Sequence, residues 1–238
     1  MFLKRSAKLE LIDTGDYTAA EYEGCLRELR RVNHYLGDTL ALRKTLLREI
    51  ENKNPQQFSA LDVGAGSGVL LRAIAEFAKE KKITPPQQQQ HLLVGLELNA
   101  RSARAILEES KNFIEIFSIQ GDALRLPFAD ASFDYALCSL FTHHFTDENV
   151  VRILSEMKRV ARRKIYVIDL HRHALAYFLY TTLGRLFLYN RLVRHDGALS
   201  ILRSFKPKEL KRLACEAKLE NVSVERHIPF RLVLSAGE

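Results

Sequence analysis

The chemically expressive residues fall just after short apolar runs. In LDVGAGSGVL, Leu61 to Leu70, an apolar strand ends at Val63, and Gly64, Ala65, Gly66, Ser67 and Gly68 turn the chain into a helix. Glycines permit a tight turn and let a ligand lie against the backbone, and the helix that follows presents unpaired N–H groups at its start. Such a loop alone suits a dinucleotide as well as other adenosine ligands. Two carboxylates narrow the choice. Asp62 precedes the glycines, where a pyrophosphate would gain nothing from added negative charge but a cationic ligand group would. Glu97 closes the apolar run VGLEL, where an acid suits the two hydroxyls of a ribose, or else simply faces water.

Three further polar groups follow. His143 and His144 stand in LFTHHFTD, and an imidazole titrates near neutrality, so either could take a proton from a phenol or cap the next helix. Asp169, His171, Arg172 and His173 follow a later apolar run, where Arg172 or His173 could pair with an anionic substrate or begin a helix. RLVRHDGALSILRSFKP carries Arg194, His195, Asp196, Ser200 and Arg203, a density that suits interlocking hydrogen bonds in a lid more than catalysis.

These groups need a scaffold that brings chain-distant segments together. Strands are predicted at Ser59–Val63, Leu92–Leu98, Ile114–Gln120, Tyr135–Ser139 and Ile165–Asp169, with helices at Gly68–Lys81, Ala100–Glu109 and Glu148–Val160. Helices between strands require crossovers, hence a mostly parallel sheet covered on both faces. A helix is predicted over Pro207–Ala217, and the two strands that follow, Ser223–Ile228 and Phe230–Ser235, are expected to form an antiparallel hairpin at one edge. Tyr17 to Glu51 is predicted to be helical throughout. Residues 1–55 therefore form a helical extension and residues 56–238 the ligand-binding domain, with a lid insert at about 172–205. The turns place the acids and histidines at the carboxyl ends of the strands, where open α/β sheets bind ligands.

The chain resembles the class I S-adenosylmethionine-dependent methyltransferases over about Phe58 to Leu170. Leu61–Leu70 is similar to their glycine motif, and Glu97 stands at the place of their ribose-binding acid. GDALRLPF, Gly121 to Phe128, resembles their third-strand motif, and FDYALCSLFTHHF, Phe133 to Phe145, their fourth strand and the loop beside the methyl donor. The resemblance implies a Rossmann-like α/β fold with a seven-stranded sheet whose last strand is antiparallel. It implies S-adenosylmethionine as cofactor, held by Asp62, Gly64, Ala65, Gly66, Gly68, Glu97, Leu98, Asp122, Ala123 and Ser139, with Asp122 meeting the adenine amino group. His143 and His144 are then the candidate catalytic bases. The N-terminal tract and RHDGALSILRSF are similar to bacterial methyltransferases of polyketide or phenolic-lipid pathways, which implies that Asn33 and Gly37 help close the cofactor site.

Substrate pockets in this family come from additions to the core, here the N-terminal helices and the insert. The insert holds Tyr177, Phe178, Tyr180, Phe187 and Tyr189 among leucines, enough for a flat, greasy acceptor pocket or for packing on the core. The expected activity is methylation of a small phenolic or polyketide-derived acceptor, O-methylation favoured, with Arg172, His173, Tyr177, His195, Arg203 and Asn33 as substrate and lid residues. An RNA methyltransferase and a non-catalytic cofactor-binding protein are the alternatives. The net charge of +7 favours anions, but the charges are dispersed and no nucleic-acid module is visible, so nucleic acid is not the expected partner. GAGSG leaves GxGxxG incomplete, with Val69 at the third position, which disfavours a nicotinamide reductase. Three widely spaced cysteines and no long apolar run fit a cytoplasmic chain without disulfides, structural zinc or a membrane span. No metal is expected.

Overall fold

In the computed structural model, alternating apolar residues build one seven-stranded sheet of order β3-β2-β1-β4-β5-β7-β6. The structure describes the chain except residues 1, 19, 22–23, 26–27, 29–36 and 86–88, and for residues 13, 185 and 186 the backbone only. The strands are β1 (Ser59–Val63), β2 (Leu92–Glu97), β3 (Ile116–Gln120), β4 (Phe133–Ser139), β5 (Ala161–Leu170), β6 (Ser223–His227) and β7 (Arg231–Gly237). The first five run parallel, and β7 lies antiparallel between β5 and β6.

Successive strand side chains point to opposite faces, and here each face has its own core. Leu61, Val63, Ala136, Cys138, Ile165, Val167, Leu232 and Leu234 pack on α6 (Asp147–Val160) and α10 (Pro207–Glu216). Ala60, Tyr135, Leu137, Tyr166, Ile168 and Val233 pack on the opposite face against α4 (Val69–Glu80) and the helices before β1. Strands buried on both faces read as near-continuous apolar runs, which is why the sequence exposes them so clearly. The crossover α5 (Ala100–Glu109) joins β2 to β3.

Boundaries shift where ion pairs or turns override apolar patterning. β3 begins two residues late because Phe113 and Ile116 close a turn with Ser110 and Phe113 carbonyls. β5 starts at Ala161, directly on α6, because Arg162 and Arg163 lie against Asp134 and Lys164 reaches Glu49 at 2.6 Å.

α1 (Leu11–Thr14) and a turn at Gly15 precede the tract Tyr17–Glu51 that is expected to be helical throughout. Among its described residues that tract is helical in part before residue 29, and it is interrupted by a turn at Gly37, behind which α2 (Asp38–Leu42) starts afresh. Gly37 has φ +94°, and a Cβ there would sit 2.7 Å from Pro229 Cδ, so only glycine fits. A π-helical turn, Arg43–Leu47, then leads into α3 (Arg48–Lys53). The insert folds as α7 (Ala174–Thr182), α8 (Gly184–Phe187) and α9 (Arg191–Arg203). None of the described helices is long and apolar enough to cross a membrane.

Candidate functional site

Parallel register gathers the carboxyl ends of β1 to β4 at one cleft. Asp62 stands beside Gly95 on β2 and Leu137 on β4, and Glu97 beside Gln120 on β3. The loop after β1 is fixed by the Gly64 and Ala65 N–H groups donating to Leu96 O. Gly64, Gly66 and Gly68 all take positive φ, and a Cβ on Gly66 would meet nothing within 4 Å, so that side of the loop is open to a ligand. Glu97 Oε1 accepts from Gly66 N at 2.6 Å, which ties the acid to the loop. Leu98 beside it is 69% exposed, an apolar surface next to the acid. Asp122 is exposed and turns its own backbone by accepting from Leu124 N at 2.8 Å, while Ala123 is buried.

Two buried polar atoms in this cleft have no protein partner: Asp62 Oδ1 and Ser139 Oγ. Burial, helped by the neighbouring Glu97 charge, pushes the Asp62 carboxyl up to about 8. Burial likewise raises Glu97, against hydrogen bonds from Gly66 and Leu98 that lower it. Orphaned buried polar groups are costly and mark ligand sites. A buried carboxyl whose ionised form a cation would favour, an open glycine loop and a strand-end acid fit S-adenosylmethionine, which carries an ammonium, a sulfonium and a ribose.

The second half of the site surrounds His143. The 3₁₀ turn Thr142–His144 follows β4, and Leu140, at φ +49°, redirects the chain there. His143 is buried, and its Nδ1 lies 2.6 Å from Asp169 Oδ1 on β5. Asp169 Oδ2 accepts from Thr142 Oγ1 at 2.7 Å and His143 N at 3.1 Å, and Oδ1 from Leu170 N at 2.7 Å. Burial raises the Asp169 carboxyl, but the His143 charge and these donors outweigh it and hold it at about 2. Asp169 is therefore an anion, His143 Nδ1 carries a proton toward it, and Nε2 is the ring nitrogen that can accept one.

His144 stacks on His143 with centroids 4.2 Å apart, and its Nδ1 is 3.7 Å from Glu10 Oε2. Glu10 is buried, and Ser200 Oγ donates to its Oε1 at 2.7 Å. Ligand atoms of Glu10, His143 and His144 all lie within 4.8 Å of one another, a donor set that could also hold a transition-metal ion. Glu10 was not singled out in the sequence: it opens the N-terminal tract, whose residue types carry no chemical signature of their own.

His143, His144 and Glu10 line a cavity of about 740 Å³ whose other walls are mainly apolar, including Leu140, Leu170, Leu179, Tyr180, Phe187 and Leu192. The insert roofs it. Tyr180 approaches α9 so closely that a Cβ on Gly197 would lie 1.9 Å from its hydroxyl, which donates to Val193 O at 2.5 Å.

The expected substrate and lid residues lie elsewhere. None of Arg172, His173, Tyr177, His195 and Arg203 lines the apolar cavity. Arg172 is buried and saturated, donating to Ser204 O and Glu209 Oε1, both at 2.5 Å. His173 caps α7 by accepting from Leu175 N, and Tyr177 packs edge-on against Phe2. His195 Nδ1 lies 2.8 Å from Asp196 Oδ1, and Arg203 donates to the His143 and His144 carbonyls. Arg172 and Arg203 are drawn to backbone carbonyls and an acid, while of the insert's aromatic residues Tyr180 and Phe187 line the cavity and Phe178 and Tyr189 stand exposed away from it. Gly37 packs on Pro229, and Asn33 lies outside the described residues.

Comparison with known proteins adds the family context. Residues 61–168 match the family described as a methyltransferase domain. The demethylmenaquinone methyltransferase of Bacillus licheniformis is 28% identical over 182 residues, 71% of this chain and 73% of that protein. Among solved structures, a SAM-dependent methyltransferase from Aquifex aeolicus superposes with TM-score 0.56 at 14% identity, covering 84% of this chain and 94% of its own. Human N-acetylserotonin methyltransferase in complex with SAM gives TM-score 0.60 at 14% identity, over 92% of this chain and 56% of that one.

Proposed function

We propose that the chain, whose residues 61–168 match the family described as a methyltransferase domain, is a class I S-adenosylmethionine-dependent enzyme that methylates a small, apolar aromatic acceptor bearing a hydroxyl, a phenol or quinol. The observation that carries this reading is the His143–Asp169 pair opening on the apolar cavity. The name of the Bacillus relative supports a quinone-type acceptor, and the cavity's aromatic and leucine walls suit a flat ring.

S-adenosylmethionine, when bound, supplies a methyl group already activated on sulfur. The protein's part is to orient the acceptor, exclude water and take up a proton. Orientation of reactants contributes on the order of 7–11 kcal/mol in favourable cases. Asp62, the glycine loop and Glu97 would hold the cofactor, and the apolar roof of Tyr180, Leu179 and Phe187 would hold the ring. His143 Nε2 would receive the hydroxyl proton, and Asp169 would stabilise the imidazolium that results. O-methylation follows if the deprotonated oxygen attacks. A quinol attacking through ring carbon needs the same deprotonation, so the dyad serves both outcomes.

The test is incubation of the purified chain with S-adenosylmethionine carrying a labelled methyl group and a panel of phenols and quinols. Label transferred to oxygen supports O-methylation, and label on ring carbon assigns the quinol variant. Turnover confined to RNA, with none on the panel, would sink the proposal.

A further inference from the structure

Beside the acceptor cavity lies a second cavity of about 680 Å³, and the two share His171, Pro229 and Phe230 as wall residues. The first is lined mainly by apolar groups. The second is lined by Arg172, His173, Lys206, Lys208, Arg226 and His227 among others. The one carboxylate lining it, Glu209, is already committed. Its Oε1 accepts from Arg172 at 2.5 Å and its Oε2 from Lys206 N at 2.8 Å. Lys206, Lys208 and Arg226 thus line a cavity whose single lining acid is already paired with Arg172, another of its wall residues.

Two further observations report the resulting field. His171 in the shared wall is driven down to about 4 by burial and then by its cationic neighbours His173, Arg226, Arg172 and Lys206. His227 Nε2 is buried without a hydrogen-bond partner, and the nearest acidic oxygen, Glu225 Oε2, is 3.5 Å away on a mostly exposed side chain. A concave site that concentrates one sign of charge raises the local concentration of the opposite ion. Carboxylate and phosphoryl oxygens make the strongest hydrogen bonds with such donors.

We infer that this cavity binds an oxyanion, a phosphate or carboxylate group, through Lys206, Lys208, Arg226 and His227. The shared wall puts that anion next to the acceptor pocket, so it belongs either to an acidic end of the acceptor or to a separate small ligand. The site itself does not depend on which acceptor is methylated.

Calorimetric titration of the full chain at low ionic strength with inorganic phosphate, pyrophosphate and benzoate tests the inference without any turnover. Saturable binding is expected, weakened at least about tenfold in Lys208→Ala and in Arg226→Ala, the loss of one charge-assisted hydrogen bond. Both side chains are exposed, so these variants should fold and bind S-adenosylmethionine unchanged. Absence of saturable binding by all three anions, or binding indifferent to both substitutions, would overturn the site. Competition between phosphate and an acidic methyl acceptor, absent for its neutral analogue, assigns the anion to the acceptor. Phosphate binding unaffected by either acceptor assigns it to a separate ligand, and both results support the site.

Discussion

Asp169 Oδ1 lies 2.6 Å from His143 Nδ1, and the two residues, 26 positions apart in the chain, come from near the end of β5 and from the turn after the adjacent parallel strand β4. The carboxylate is fixed by Thr142, His143 and Leu170 donors, so it presents one tautomer of the imidazole to the acceptor cavity. Asp169→Asn should remove that selection and His143→Ala the base itself. Each is expected to lower turnover by about 10²–10⁴-fold, the range for general-base catalysis, with S-adenosylmethionine affinity preserved. Steady-state rates beside calorimetric affinities check this, and near-normal rates in both variants would eliminate the dyad from the chemistry.

Asp62 gives a pH signature of opposite sign to that of a salt-bridged acid. Its carboxyl is raised from 3.8 to about 8 by burial and then by Glu97. Between those values the folded protein binds a proton that the unfolded chain has released, so stability falls as pH rises from about 4 to 8. Asp62→Asn should flatten that decline in thermal melts taken without cofactor. It should also weaken S-adenosylmethionine binding, because the amide cannot offer a full charge to a cationic group. Binding to the native protein at pH 7 should release a proton, giving a calorimetric enthalpy that changes with buffer ionisation heat. In Asp62→Asn that buffer dependence should disappear.

The cofactor half of this site was legible because its residues follow local rules. Asp62, Gly64, Gly66 and Glu97 sit at strand ends bracketed by apolar runs, so spacing alone places them at one cleft. The half around His143 was less so. Asp169 stood out as a polar residue closing the apolar run of β5, but its pairing with His143 depends on the β4–β5 register, which one sequence does not display. Arg172 looked like a partner for an anionic substrate because it is polar and follows an apolar run, yet it is spent internally on Glu209 and the Ser204 carbonyl. His195 and Arg203 stand in the tract read as interlocking hydrogen bonds of a lid, and they contact Asp196 and the His143 and His144 carbonyls. The residues facing the cavity, such as Leu179 and Tyr180, look in sequence like ordinary core.

Gly197 sets the height of the cavity roof. A methyl group there would fall 1.9 Å from the Tyr180 hydroxyl and 2.3 Å from its ring carbon. Gly197→Ala should force the ring aside and break its bond to Val193 O. The expected loss is about 1–3 kcal/mol of stability, as for other overpacked interiors, with a raised KM for the acceptor. Melting temperature and acceptor kinetics measure the two effects. Tyr180→Phe,Gly197→Ala would still clash through the ring carbon, so the extra substitution should rescue little.

Asp196 joins the lid to the N-terminal segment that carries Glu10. Its Oδ1 accepts from Leu11 N at 2.8 Å and its Oδ2 from Ile12 N at 3.0 Å, so one carboxylate caps the start of α1. Arg5 fastens the same segment farther up, donating to Asp147 Oδ1 at 2.6 Å and to the Phe145 and Arg203 carbonyls. In Asp196→Ala two backbone N–H groups lose their acceptor while the Arg5 tether remains. Residues 8–14 should then exchange their amide hydrogens faster, with the sheet strands unchanged. Glu10 would no longer be held against Ser200 and His144, so acceptor KM should rise while S-adenosylmethionine affinity stays constant. Hydrogen exchange read by mass spectrometry, alongside acceptor kinetics, checks both halves. Unaltered exchange at residues 8–14 would mean that the remaining contacts of Arg5, Ser6, Lys8 and Glu10 suffice to hold the segment in place.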